Sequence, residues 1–290
     1  QELNTPLAFT EKWNVVKNTF QAVVVVNNDI ENVTLVGAYV GKSNSSHSTA
    51  TGAANLPGGG GQVVTYDGKF NSFHGGAYAA GAVAKIAGVN GQLWYYNIDD
   101  VIMADTGASA FWLEADTKVA GIFLGAQYAV TDVEGAGNES LKAYAVKASG
   151  DVAGVNLYAA YSKVDDDAAG GANLGFANTA TGDKTKLYTG TASVYADGAT
   201  VANEDTKAWK VGAKTKMAGI SFGASYTDID FGAQSTGRVN NDATAYDFFA
   251  AKKVGPLAVK GIFTNYSQDD STGAKVTDND LLRIIVSAKF

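Results

Sequence analysis

Val119-Ala120-Gly121-Ile122-Phe123-Leu124-Gly125-Ala126-Gln127-Tyr128 contains a chain reversal and the strand that leaves it. From Ile122 onward, Ile, Leu, Ala and Tyr alternate with Phe, Gly and Gln, the period of two that places successive side chains on opposite faces of a strand. Before Ile122 stands Ala-Gly, and glycine lets a chain turn back where other residues clash. The same apolar–Ala–Gly–apolar phrase recurs as Ile86-Ala87-Gly88-Val89, Val152-Ala153-Gly154-Val155 and Met217-Ala218-Gly219-Ile220. Val254-Gly255-Pro256-Leu257 is a looser copy. Gly88, Gly121 and Gly154 are evenly spaced, 33 residues apart each time, so one unit is being repeated. That unit is strand, tight turn, strand, long polar loop. Short turns on one side and long loops on the other are the pattern of a transmembrane antiparallel β-barrel, and all-β is the expected class.

A soluble sandwich also alternates, so the residues on the second face decide between them. In Ile220-Ser221-Phe222-Gly223-Ala224-Ser225-Tyr226-Thr227 one face is apolar and the other small or polar. Elsewhere that second face carries Gln and charges, which suits a wet lumen. Tyr95, Tyr96, Tyr128, Tyr161 and Tyr226 recur near strand ends, where an interfacial aromatic girdle is expected.

Composition agrees. The 290-residue chain has 34 Gly, only 3 Pro and no Cys, which excludes a disulfide framework and thiolate metal sites. No apolar run reaches the roughly 18 residues of a membrane helix. The net charge of −7 speaks against nucleic acid as a partner. No secretory signal stands at Gln1, so a barrel reading places that signal upstream or has it removed. His47 and His74 are the two histidines, without a nucleophile or acid at suggestive spacing. No enzyme activity and no cofactor are expected. Asp165-Asp166-Asp167 lacks the ligand spacing of a calcium loop. The run Gly58 to Gly61 lacks the Lys-Ser/Thr ending of a phosphate loop.

The pattern predicts thirteen strands: 19–28, 33–43, 73–86, 90–101, 108–119, 121–132, 139–150, 153–164, 206–217, 219–230, 242–254, 257–268 and 280–290. Residues 1–290 form a single β-barrel domain, in which 1–18 is an inward-folding constriction loop and 19–290 are barrel strands. Long external loops are expected at about 44–72 and 165–205, with 187–195 as a possible hairpin strand above the membrane. Thirteen is odd, whereas bacterial single-chain barrels have an even count. The reading therefore places an odd number of N-terminal strands outside this sequence.

Gln1-Glu2-Leu3-Asn4-Thr5-Pro6-Leu7, followed by Asn18-Thr19-Phe20-Gln21-Ala22, resembles the third-loop region of OprD-type outer-membrane porins. Within that group it looks closest to the epsilonproteobacterial major outer-membrane proteins. Gln92-Leu93-Trp94-Tyr95-Tyr96 resembles an internal strand of the same family, and Ser287-Ala288-Lys289-Phe290 is similar to the assembly signal of outer-membrane proteins. The resemblance implies a bacterial outer-membrane location, an eighteen-stranded complete barrel, a homotrimer, and an inward third loop that narrows the pore. The implied partners are outer-membrane lipid and lipopolysaccharide, with ions and small hydrophilic solutes passing by diffusion.

Pore residues follow from the alternation. Glu11 and Lys12, between the apolar anchors Leu7, Phe9 and Trp13, are the expected constriction charges, since rings of charge set selectivity. Phase places Glu114, Asp116, Lys118, Lys210, Lys214, Lys216, Arg283 and Lys289 on the lumen side, with Lys147 and Lys260 on weaker grounds. A Lys or Arg facing lipid at the midplane would cost about 2–4 kcal/mol. Lys85, Lys118, Lys216 and Lys252 precede turn glycines by three residues, which gathers lysines at the turn-side rim. Acidic residues crowd the long loops, and an acidic mouth concentrates cations, so weak cation preference is expected. The alternative is a surface adhesin or structural outer-membrane barrel that uses the long loops, and a weaker one is a soluble all-β surface protein.

Overall fold

The computed structural model describes residues 1–12, 16–45, 69–99, 107–134, 140–166, 175–193, 200–232 and 241–288. Trp13, His47, the Gly58 to Gly61 run, Asp167 and Lys289 lie outside them. The described residues hold thirteen strands: β1 (Phe20–Asn27), β2 (Val33–Ser43), β3 (Asn71–Ile86), β4 (Val89–Ile98), β5 (Ala108–Val119), β6 (Ile122–Val133), β7 (Leu141–Val152), β8 (Val155–Val164), β9 (Thr206–Met217), β10 (Ile220–Phe231), β11 (Asn241–Val254), β12 (Leu257–Asp269) and β13 (Lys275–Ala288). They form one antiparallel meander in which each strand pairs with the next along the chain. β1 and β13 are the sheet's two edges and, being both odd in a meander, point the same way.

The repeated phrase is the turn that joins strands on one side. Val119 pairs with Ile122, and Ala120-Gly121 between them have φ of 50° and 86°. Positive φ at both central residues matches the twist of the flanking strands. Ala87-Gly88, Ala153-Gly154 and Ala218-Gly219 repeat the geometry. Gly255, with φ 58°, opens the corresponding turn before Pro256. Glycine fits these angles; alanine adopts them at a cost, because its Cβ crowds the following carbonyl.

The two faces divide as the alternation requires. Outward stand exposed apolar side chains on every strand from β1 to β13, among them Val23, Leu35, Leu93, Leu124, Val211 and Ile284. An outward aromatic row crosses β7 to β11: Tyr144 lies 6.2 Å from Tyr161, Tyr161 pairs with Trp209, and Trp209, Tyr226 and Tyr246 follow at 5.1 and 4.8 Å. Tyr39 and Tyr78 extend it on β2 and β3 at 4.9 Å. Tyr96 does not belong to this girdle. It is the immediate neighbour of outward Tyr95, so it points inward, buried, and stacks at 6.2 Å on Trp94. Lys252 faces outward at the turn side, opposite Val259.

Inward positions are small, polar or charged. Several glycines there seat a ring from the paired residue on the next strand. A Cβ on Gly81 would stand 2.5 Å from Trp94, one on Gly212 2.4 Å from Tyr158, and one on Gly223 2.1 Å from Phe249. Each pair is a directly opposed cross-strand couple. The rings therefore lie flat along the wall, where any larger residue would push them into the lumen.

The loop side of the interior is filled. Residues 1–11 and 175–193 lie against the inner face of the sheet. Leu7, Phe176 and Leu187 pack on Trp94, Trp112, Ala129, Ala143 and Val164. Ala180, with Leu3 beside it, packs on Phe20, Val40, Phe73 and Ile98. Val201 joins Ile229, Phe231 and Tyr266. The span 165–205, expected as an external loop, thus sends its described middle part inward. The hairpin strand expected at 187–195 is absent from the described residues; a single bridge, Ala177 to Thr185, is what forms nearby. Phe176, Leu187 and the buried threonines are too apolar or too well bonded to remain in water.

Ala120→Asn is expected to raise stability by about 1 kcal/mol, because Asn tolerates the left-handed region better than Ala. Gly121→Val is expected to lower it by more than that, since its native φ is incompatible with a β-branched side chain. Urea unfolding of detergent-refolded protein, followed by tryptophan fluorescence, measures both.

Candidate functional site

Two stretches with no strand of their own meet inside the sheet, and Asn178 joins them. Its side chain is fully buried. Its Oδ1 accepts from Phe9 N at 3.1 Å, while its Nδ2 donates to Phe9 O and to Glu11 Oε1, both at 2.9 Å. Thr179 donates twice to Leu7 O at 2.8 Å, from its amide and its hydroxyl. Thr181 Oγ1 donates to Glu11 Oε1. On the other side Asn18 accepts from Glu11 N at 2.7 Å and donates to Phe9 O at 2.8 Å. Glu11 is 5% exposed and binds the two segments together, so its charge is spent on protein donors. Lys12 is exposed and pairs with Glu2 at 3.0 Å, and Lys17 joins the same carboxylate at 2.9 Å.

Beneath the junction lies a polar cavity of about 210 Å³, lined by Asn4, Thr5, Pro6, Gln92, Glu114, Gln127, Lys186 and Tyr188. Glu114 sits on its wall and accepts from Gln92 Nε2 at 2.9 Å and from Tyr188 OH at 3.0 Å. Gln127 holds the inward segment by both ends of its amide, donating to Lys186 O at 3.0 Å and accepting from Tyr188 N at 3.1 Å. Lys186 donates to Asn4 Oδ1 at 3.2 Å and lies 4.5 Å from the Phe9 ring centre. Burial pushes the Lys186 ammonium below the usual lysine range, and Glu114 and Glu11 pull it partly back. Burial likewise raises the Tyr188 phenol, reinforced by Glu114.

The wall beyond the cavity is mainly basic. By strand phase the inward charges of the described strands are Lys85, Lys118, Lys147, Lys210, Lys214, Lys216, Lys253, Lys260 and Arg283, against Glu114, Asp116, Asp151 and Asp247. Several lysines lie over the flat rings of the wall. Lys147 Nζ is 5.7, 5.7 and 5.6 Å from the Phe123, Tyr158 and Tyr188 ring centres. Lys214 is 5.1 Å from Tyr158, and Lys260 is 5.2 Å from Phe249. Asp116 accepts from Asn90 Nδ2 at 2.7 Å near the turn side. Lys118, Lys214 and Lys216 are exposed, whereas Lys210 is 8% exposed and donates to Gly190 O at 2.6 Å. The acidic residues at the loop ends of β10 to β13, including Asp228, Asp230, Asp242 and Asp280, face outward and not into the lumen. Among the described residues no cluster of three His, Cys, Asp or Glu side chains suits a metal ion.

Sequence reasoning missed Tyr188, Lys186 and Asp247 as parts of this interior, and it placed Gln127 on the lumen face without its role as an anchor of the inward segment. Gln127 and Asp247 carried a signal: each stands between outward apolar residues, Ala126 and Tyr128 in one case, Tyr246 and Phe248 in the other. Tyr188 and Lys186 carried none, because the segment that presents them has no period.

Glu11→Ala would leave the Asn178 amide and Thr181 hydroxyl without their buried acceptor. An unsatisfied buried donor costs about 1–3 kcal/mol. Local opening of 175–193 is expected to rise about tenfold, the lower part of that range. Hydrogen exchange of the segment should show this, with β9 to β12 unchanged.

Neither protein-family models nor curated proteins return a match to this chain. Solved structures do, at low identity. OccK7 (OpdD) of Pseudomonas aeruginosa is 16% identical, with a TM-score of 0.71 over 99% of this chain and 72% of that one. OpdQ of the same organism is 18% identical, with a TM-score of 0.71 over 99% and 74%. A BenF-like porin from Pseudomonas fluorescens Pf-5 is 15% identical, with a TM-score of 0.71 over 99% and 71%. The chain therefore has the fold of outer-membrane porin barrels.

Proposed function

We propose that this chain forms the wall and constriction of a porin in a bacterial outer membrane, passing ions and small hydrophilic solutes by diffusion. The observation that carries the reading is the pairing of an apolar, aromatic-girdled outer face with a charged inner face. An apolar exterior of this extent needs lipid around it. Charges in the interior need water or partners, and the wall lysines Lys147, Lys214 and Lys260 face the lumen from three strands. The porin fold of the structural neighbours supports the same reading.

Several finer points belong to the proposal. Glu11 and Lys12 stand at the narrowing and Glu114, Asp116, Lys118, Lys210, Lys214, Lys216 and Arg283 on the wall, with Lys289 assigned by phase alone. Weak cation preference is proposed, set by the acidic outer mouth and opposed by the basic wall. A homotrimer, contacts with lipid and lipopolysaccharide, and closeness to the epsilonproteobacterial major outer-membrane proteins rest on the sequence resemblance. The second reading, a structural or adhesive barrel, draws on the packed cluster of Trp94, Trp112, Phe176 and Leu187 inside the sheet, which removes part of the lumen from water.

Single-channel recording of the full-length protein in a planar bilayer, under a KCl gradient, tests the porin reading. Stable open steps support it, and folded protein without conductance would favour the structural barrel. Lys214→Gln and Lys260→Gln should each move the reversal potential toward cations. One charge about 8 Å from the ion path in water contributes about 0.5 kcal/mol, roughly a twofold change in the permeability ratio.

A further inference from the structure

Segment 175–193 crosses the interior and reaches strands far from its first anchor. Tyr188 touches β5 and β6, Thr189 shares a 2.6 Å hydrogen bond with Ser162 on β8, and Gly190 is bound by Lys210 on β9. Ala192 then lands between β11 and β13. Its amide donates to Asp247 Oδ2 at 3.0 Å, and its carbonyl accepts from Arg283 Nη2. Asp247 is itself fixed from β12 by Thr264 Oγ1, which donates to Oδ1 at 2.8 Å. Asp247 and Lys210 are 6% and 8% exposed.

Charged side chains are rarely buried unless paired. Here their partners are the amides and carbonyls of a segment with no ladder of its own, and such groups need partners when they leave water. Charge-assisted hydrogen bonds are the stronger kind, which suits the end of a strap. Lys210 and Arg283 are therefore set apart from Lys214 and Lys260, which lie over rings on the same wall.

We infer that Asp247, Lys210 and Arg283 are positioning residues that hold the 187–193 stretch of the inward segment across the lumen and so set the bore of the channel. The inference rests on the porin reading. Freed from this end, the strap swings toward its remaining anchors at β5, β6 and β8 and leaves a wider, less steady passage.

The chain has no cysteine, so introduced pairs report cleanly. Full-length Asp247→Ala and Lys210→Met proteins, each checked for folding by heat-modifiable migration, are recorded in planar bilayers. Each is expected to raise single-channel conductance at least 1.5-fold with added current noise, and the double variant is expected to add little to either. A Ser162→Cys/Thr189→Cys pair placed in the Asp247→Ala protein should return conductance to the native value when oxidised and release it on reduction. A general loss of stability would not respond to that lock. Native conductance in both folded single variants would overturn the inference while leaving the porin reading in place, as would a formed disulfide without rescue. Absence of channels from folded native protein would instead overturn the porin reading itself.

Discussion

A strand that faces lipid on one side has no water to satisfy its backbone, so each of its amides and carbonyls must find a neighbouring strand. That requirement explains the uninterrupted meander from β1 to β13, the rarity of Pro within it, and the tight turns that keep adjacent strands in register. It also sets what the side chains must do. With the backbone committed to pairing, the outer face has to be apolar and the inner face is free to carry chemistry. Ala-Gly turns with positive φ hold that arrangement at one rim.

The inner face then serves two purposes that compete. Over β4 to β8 it is a packing surface for Leu7, Phe176 and Leu187, with alanines at 129, 143 and 145 leaving room for the segments above them. Further toward the turns it is a lining, with rings laid flat over glycines and ammonium groups beside them. Small inward residues make both possible: alanine admits a covering segment, and glycine admits a ring. The boundary between the two regions is the polar cavity by Glu114 and Lys186, where the packed part ends and charge begins.

Much of this was legible in the sequence because the barrel writes its wall at period two. The strand number, the turns at Gly88, Gly121, Gly154 and Gly219, and the inward phase of Glu114, Lys214 and Arg283 all follow from alternation and turn chemistry. The content of the interior did not follow. Residues 175–193 are rich in Thr, Gly and Ala, a composition that reads as a solvated loop, and buried Thr181 finds its acceptor in Glu11, 170 residues away in the chain. Tyr96 shows the same limit on a smaller scale. Aromatic usage near a strand end suggested the girdle, but its parity with Trp94 placed it inside.

The meaning of a charge in such a wall depends on what it touches. Counting residues gives a chain of net −7, yet the acidic side chains at the loop ends of β10 to β13 face outward, while the lumen side of β9, β12 and β13 carries Lys214, Lys260 and Arg283. Of the inward charges, some are committed to holding backbone, as Asp247 and Lys210 are, and others face open space, as Lys216 does. On the porin reading the second kind can swing toward a passing ion, whereas the first kind keeps its charge but is fixed in place by the groups it bonds. On the proposed porin reading, selectivity is then the balance between these uncommitted lysines and the acidic loops of the mouth, and bore follows from the committed charges. One strand, β9, carries both in alternation: Lys210 bonds Gly190 of the inward segment, and two residues beyond Gly212, Lys214 stands beside the Tyr158 ring on the same inward face.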